Sequence, residues 1–212
     1  MSAHRDDMTA RKVGIDDASI LEAASVLKAG GLVVYPTDTV YGLGAIPTDV
    51  EAVERLLSAK GRGPKPIPVL CAGLDQAEGL VELGSMGREL AERFWPGQLT
   101  VVAPMKTELP IGIHQGSRTL GVRVPAHKKC VELLNVSGGA LTGTSANTSG
   151  SPSCRTADQA MTELGEAVDM VLDGGALGGK ESTVVSVVGD ELKVLRAGAV
   201  DLSDWRKSPS SP

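Results

Sequence analysis

The segment Val33-Val34-Tyr35-Pro36-Thr37-Asp38-Thr39-Val40-Tyr41-Gly42-Leu43-Gly44 does most to limit what this chain can fold into. Two β-branched valines and a tyrosine suit a buried strand, and Pro36, with no backbone N–H, stops that strand from extending its ladder. Hydroxyls and one carboxylate follow, then two glycines that let the backbone turn tightly or approach a ligand. Polar loops at the carboxyl ends of strands are where α/β proteins hold substrates. The same Pro-Thr-Asp-Thr also suits a capped turn whose oxygens are spent on backbone amides. Taken alone, the segment leaves both readings open.

Strand and helix patterns alternate around it. Asp16-Asp17 ahead of Ile20, Leu21, Ala24 and Leu27 predicts a helix closed by Gly30-Gly31, and the strand at 32–35 follows. Thr48 is expected to cap a second helix, carrying Val50, Val53, Leu56 and Leu57 as far as Lys60-Gly61. Further strands are predicted at 67–71, 99–103, 119–124, 140–144, 168–172, 182–188 and 192–195. Helices are predicted near 75–83, 85–94, 128–136 and 156–164. Gly189-Asp190 suits a two-residue hairpin turn, and an antiparallel pair beside βα units makes the sheet mixed. The expected unit spans 16–200, with 1–15 as an N-terminal extension and 201–212 as a Ser/Pro-rich tail, read as disordered from Arg206 to Pro212.

Composition excludes several classes. A chain of 212 residues with 42% hydrophobic and 22% charged residues suits one soluble domain. No apolar run approaches the roughly 18 residues of a membrane span, and the first residues lack the apolar segment of a signal peptide. A cytoplasmic location without membrane attachment is therefore expected. Cys71, Cys130 and Cys154 are odd in number and scattered, which suits reduced packing residues. A net charge of −5, with two Tyr, two Trp and one Phe, gives little to a dedicated nucleic-acid binder, although weak RNA contact stays compatible. His4, His114 and His127 show no ligand spacing, so no protein-held metal is expected.

Anion chemistry is better supplied. Lys60-Gly61-Arg62, with Lys65 close behind, is either a solvated helix C-terminus or a polyphosphate clamp. Gly143-Thr144-Ser145-Ala146-Asn147-Thr148-Ser149-Gly150 is either a polar loop or a cradle for phosphates and ribose. Arg123 is a charge inside the apolar strand Val122-Arg123-Val124, so it needs an anionic partner, Asp38 or a substrate carboxylate. Gly174-Gly175-Ala176-Leu177-Gly178-Gly179-Lys180 resembles a P-loop but fails it. Glu181 stands where a magnesium-binding hydroxyl belongs, and a strand follows where a helix should.

In this order, these segments resemble the YrdC family of threonylcarbamoyl-AMP synthases, together with Trp95-Pro96-Gly97-Gln98-Leu99-Thr100, Ser182-Thr183-Val184-Val185 and Leu195-Arg196-Ala197-Gly198. The likeness runs from about Gly31 to Gly198. It implies an α/β fold, a twisted open mixed sheet with flanking helices and a large concave groove. It also implies a nucleotidyltransferase that joins L-threonine, bicarbonate and ATP into threonylcarbamoyl-AMP and pyrophosphate, with magnesium carried by ATP. A downstream tRNA threonylcarbamoyl transferase would move the group to the adenosine beside the anticodon.

Transferred residue by residue, the resemblance implies catalytic roles for Lys60 and Arg62 and threonine contacts from Thr39, Arg123 and Ser182. It implies ATP contacts from Arg62, Lys65, Thr119, Ser145, Asn147, Ser153 and Arg196. Only a short tail follows Gly198, as in family members without a second domain. The competing expectation is a paralogue of the same fold acting as an RNA-binding module.

Overall fold

The computed structural model describes residues 9–61, 63, 65–203 and 205. The chain opens with strand β1 (Arg11–Gly14), helix α1 (Asp17–Lys28), strands β2 (Val33–Tyr35) and β3 (Gly42–Gly44), and helix α2 (Val50–Ala59). Strand β4 (Val69–Cys71), helices α3 (Leu74–Leu80) and α4 (Gly84–Phe94), and strand β5 (Leu99–Pro104) follow. Next come α5 (Ile111–His114), β6 (Thr119–Arg123), α6 (Lys128–Val136), β7 (Ala140–Thr142) and β8 (Thr144–Ser145). Helix α7 (Ala157–Leu164) and strands β9 (Met170–Asp173), β10 (Thr183–Ser186) and β11 (Lys193–Arg196) complete the order.

Carboxylates and a hydroxyl cap helices α1, α2 and α7, where their oxygens meet unpaired N–H groups. Asp16 accepts from the Ser19 amide at α1, and Thr156 from the Gln159 amide at α7. Helix α2 is capped by Asp49, which accepts from the Ala52 amide at 3.0 Å, and not by Thr48 as expected. The carboxylate stands one residue nearer the helix, where its reach matches the N–H.

The expected single sheet is two sheets, with strand orders β1-β9-β2-β3-β8 and β11-β10-β5-β6-β4-β7. Both are mixed. In the first, β1, β9 and β2 run parallel while β3 and β8 are antiparallel to their neighbours. In the second, β10 is parallel to β5 and β4 to β6, and the other pairs are antiparallel. The strand expected over 140–144 divides at Gly143: β7 pairs with β4 in the second sheet, and β8 pairs with β3 in the first. Strand β1, read as part of an extension, pairs with β9, so the sheet takes in residues ahead of 16. The β10–β11 turn is a 3-10 turn, Val188–Asp190, rather than a two-residue hairpin.

Gly42 and Gly44 belong to a strand rather than to the turn read from the sequence. Their value lies in what they lack. A Cβ on Gly44 would sit 2.7 Å from Cε1 of Tyr35, whose ring lies across β3 and whose hydroxyl donates to the Thr142 carbonyl at 2.7 Å.

Apolar residues fill both sides of the first sheet. One cluster joins Val34, Leu43 and Leu56 to Val101 and Val122, and the other packs α1 and α6 through Leu27, Leu133 and Leu134. Each fully buried leucine contributes about 1.5–3 kcal/mol relative to an exposed one. The three cysteines are free and buried. Among the described residues no helix is long and apolar enough to cross a membrane.

Candidate functional site

The period-two alternation of a strand assigns the faces of the second sheet. Leu99, Val101 and Ala103 of β5 point into the core, while Thr100 and Val102 line a concave cavity of about 420 Å³. Gly121 and Arg123 of β6, Leu70 of β4 and Val184 of β10 continue that floor, with Gly121 opposite Val102 and Arg123 opposite Leu70. Thr39, Ser145, Ser182 and Arg196 stand in its walls. This cavity is the concave groove expected from the sequence.

Arg123 is held on three sides. Its Nε donates to the Gly97 carbonyl at 2.9 Å, its Nη1 to the Thr39 hydroxyl at 3.2 Å, and its Nη2 to Asp38. Of the two partners left open by the sequence, Asp38 is the one observed. The Asp38 carbonyl accepts from Gln98 Nε2 at 2.5 Å, and its Oδ2 is buried without a hydrogen bond among the described residues. A guanidinium carries five N–H donors, so two remain for a ligand.

The opening loop thus divides between its two readings. Thr37 turns the chain, donating to the Val40 carbonyl at 2.7 Å and accepting from the Thr39 amide at 3.1 Å. Thr39 faces the cavity. The glycine-rich segment packs behind it, since a Cβ on Gly179 would lie 2.7 Å from the Thr39 carbonyl oxygen.

Lys60 is buried at the end of its helix. It is neither solvated nor a mobile point charge, being 2% exposed at the C-terminus of α2. Its Nζ donates to the carbonyls of Ser145 and Asn147, the latter at 2.6 Å. The loop after β8 crosses that helix end and covers it, an approach made in three dimensions that helix-end chemistry does not forecast. Glu163 of α7 holds the same loop from its other side, accepting from the Thr148 hydroxyl at 2.5 Å and the Thr148 amide at 3.1 Å. Those hydrogen bonds, with Lys60 beyond them, keep its carboxyl below the ordinary range. Asn147 is buried, its amide nitrogen donating to the Thr148 and Ser151 carbonyls while Oδ1 lacks a partner among the described residues.

At the other end of the cavity, Arg196 donates through Nη2 to the Ser182 carbonyl at 2.9 Å and the Ser182 hydroxyl at 3.1 Å. That hydroxyl also meets Thr100 Oγ1 at 2.9 Å. Glu181 joins Arg196 to Ser153, with one oxygen 2.6 Å from Nη1 and the other accepting from the Ser153 hydroxyl at 2.6 Å. Thr119 lines the cavity beside Ser117, their hydroxyls 2.7 Å apart. Lys65 is exposed next to Pro66, which lines the groove. Arg62 lies outside the described residues, as does the tail from 206 on.

The structure thus brings Thr39, Thr119, Arg123, Ser145, Ser182 and Arg196 to one cavity, with Ser153 joined to it through Glu181. It sets Lys60 and Asn147 behind the wall rather than in it. Gln98, Thr100, Glu163 and Glu181 are the participants that sequence reasoning missed. Thr100 carried a signal as a hydroxyl at an alternate position of an apolar strand, and Gln98 stood in the same segment of the family likeness, whereas Glu163 gave none.

Residues 25–198 match the Sua5/YciO/YrdC family model, described as "Telomere recombination". A threonylcarbamoyl-AMP synthase from Pyrococcus abyssi is 37% identical over 196 residues, covering 91% of this chain and 58% of the Pyrococcus protein. A threonylcarbamoyl-AMP synthase from Halorhodospira halophila is 38% identical over 164 residues, covering 76% of this chain and 85% of that protein. The crystal structure of P. abyssi Sua5 complexed with L-threonine aligns with a TM-score of 0.87 at 36% identity, over 94% of this chain and 60% of that one. E. coli YciO aligns with a TM-score of 0.83 at 27% identity, over 92% of this chain and 98% of its own. The chain therefore spans well under two thirds of the Pyrococcus relative, 58% of its length, and most of the Halorhodospira one.

Proposed function

Because the chain belongs to the Sua5/YciO/YrdC family, we propose that it makes threonylcarbamoyl-AMP and pyrophosphate from L-threonine, bicarbonate or carbon dioxide, and ATP. The observation that carries this reading is one cavity lined by two arginines with different surroundings, Arg123 and Arg196. Arg123, anchored by Asp38 and Gly97, offers its two remaining N–H donors to the threonine carboxylate, a forked match to two oxygens. Thr39 and Ser182 bind the amine and hydroxyl. Arg196, Ser145, Ser153 and Thr119 hold the nucleotide, with Arg62 and Lys65 reaching its phosphates and Asn147 shaping the loop beneath.

The threonine amine adds to carbon dioxide and loses a proton, giving a carbamate. A carbamate oxygen then forms a bond to the α-phosphorus while the bond to pyrophosphate breaks. Negative charge builds on the departing phosphates, and cations fixed in place beforehand stabilise it at no reorganisation cost. Bringing three small molecules together in one groove supplies much of the remaining acceleration. Lys60 acts from behind, fixing the carbonyls of Ser145 and Asn147 and placing its charge under the loop. Magnesium is part of the nucleotide substrate in this scheme; among the described residues no group of three His, Cys, Asp or Glu would hold a metal ion. The mixed anhydride hydrolyses readily, which calls for a tRNA threonylcarbamoyl transferase to take it directly, in the cytoplasm where both act.

An RNA-binding role has less behind it, given the net charge of −5. Product identity is the test. With 13C-bicarbonate, threonine and Mg-ATP, mass spectrometry of the quenched reaction should show threonylcarbamoyl-AMP carrying the label. A protein that binds ATP yet yields no labelled adduct would refute the proposal.

A further inference from the structure

The residue that spoils the P-loop reading occupies a position of its own in the groove. Glu181 lines the cavity, and both carboxylate oxygens are engaged, one by the Ser153 hydroxyl and the other by Arg196 Nη1, each at 2.6 Å. A phosphate would ask the same of these two donors: an anionic oxygen for the guanidinium and another for the hydroxyl. We infer that the Glu181 carboxylate is a built-in occupant of the groove's anion subsite, holding Ser153 and Arg196 until a phosphate of the nucleotide displaces it. This rests on the function proposed above.

The surroundings allow the exchange and confine it to the side chain. The Glu181 carbonyl accepts from the Ala199 amide at 3.0 Å, and the backbone at Gly198 lies so close that a Cβ there would be 2.4 Å from that oxygen. The backbone therefore stays. The side chains of Glu181 and Arg196 are 43% and 46% exposed, and an ion pair so open to water is weak and readily replaced by a polyanion. Arg196 does not follow the carboxylate out, because its Nε and Nη2 remain on the Ser182 carbonyl at 3.2 and 2.9 Å. The subsite is thus preformed and plugged by one rotatable group, which lowers apparent nucleotide affinity by the fraction of molecules in which it is closed.

Calorimetric titration of the full chain with Mg-ATP and with inorganic pyrophosphate tests this in wild type, Glu181→Gln and Glu181→Asp. The aspartate keeps the charge but is one methylene too short to span Ser153 and Arg196. Both variants should bind both ligands more tightly, Glu181→Gln by about 3- to 10-fold. Affinities equal to or weaker than wild type, or no binding in any of the three, would overturn the inference. So would tightening in Glu181→Gln alone, which would assign the effect to long-range charge. Should the glutamine variant fail to fold, the aspartate decides by the same criterion. Wild-type product formation is measured beside this: product with unchanged affinities sinks the inference alone, whereas tightened variants without product sink the function and keep the plugged subsite.

Discussion

Arg123 of β6 and Asp38 of the loop after β2 form an ion pair whose side chains are only 6% and 10% exposed. Two charges this deep are tolerated because each neutralises the other and Arg123 is also bonded to Gly97 and Thr39, while Gln98 fixes the Asp38 backbone through its carbonyl. The pair ties the first sheet's loop to the second sheet's floor. It also fixes the direction in which the spare N–H donors of Arg123 point.

Removing Asp38 should therefore cost both stability and threonine binding. Asp38→Ala leaves a buried guanidinium uncompensated and is expected to lose roughly 3–5 kcal/mol in denaturant unfolding. Asp38→Asn keeps an acceptor, folds, and should raise the KM for threonine about tenfold while the KM for ATP moves little. This separates orientation of Arg123 from general damage.

Part of this cavity is legible in the amino-acid sequence. Arg123 announces itself because a charge in an apolar strand demands a partner, whereas the hydroxyls at the end of the buried strand left cap and site open and only the family likeness singled out Thr39. Lys60 was not legible, since lysine at a helix end is ordinarily solvated and only the approach of residues 145–147 covers it. The two sheets were not legible either. Alternation reveals which face of a strand is buried but not which sheet the strand joins, so the switch at Gly143 left no trace. Gly42 and Gly44 looked like turn residues because the ring they accommodate, Tyr35, reaches them only through strand pairing.

Lys60 acts by holding the 145–147 loop, so its loss should appear in folding and in nucleotide affinity together. Lys60→Met keeps the apolar stem but takes the ammonium from the Asn147 carbonyl and leaves the Ser145 carbonyl with the Asn147 amide alone, an expected cost of about 1–3 kcal/mol. The KM for ATP should rise with it. Slow turnover with stability and KM for ATP at wild-type levels would show instead that the ammonium acts on the reacting groups.

A side chain at Gly179 should disturb Thr39 directly. The Cβ of Gly179→Ala would meet the Thr39 carbonyl oxygen at 2.7 Å and Thr39 Cα at 2.9 Å, and neither atom is at the end of a flexible side chain. Steady-state kinetics should show a raised KM for threonine, with a loss of about 1–3 kcal/mol in stability.

The buried thiols set a limit on alkaline stability. Desolvation pushes Cys71 up to about 12 and Cys154 up to about 11 from an ordinary value near 9, and raises Cys130 further. Well below pH 9 the thiols are largely protonated in both states, so stability does not vary with pH on their account. Above it the unfolded chain releases protons that the native state retains. Stability should fall by about 1.4 kcal/mol per pH unit per thiol between roughly pH 9 and 11. Urea midpoints across that range, compared with a Cys71→Ala, Cys130→Ala double variant of shallower slope, check this. A thiol reagent at pH 8 should find none of the three cysteines in the folded protein and all three in denaturant.

The most direct measurement is pyrophosphate release by the purified 212-residue chain with Mg-ATP, in the presence and absence of threonine and of bicarbonate. Release that requires both, and that stops when either is withheld, is the expected result. Release indifferent to threonine, or none with all three present, would contradict the assignment of this groove to threonylcarbamoyl-AMP formation.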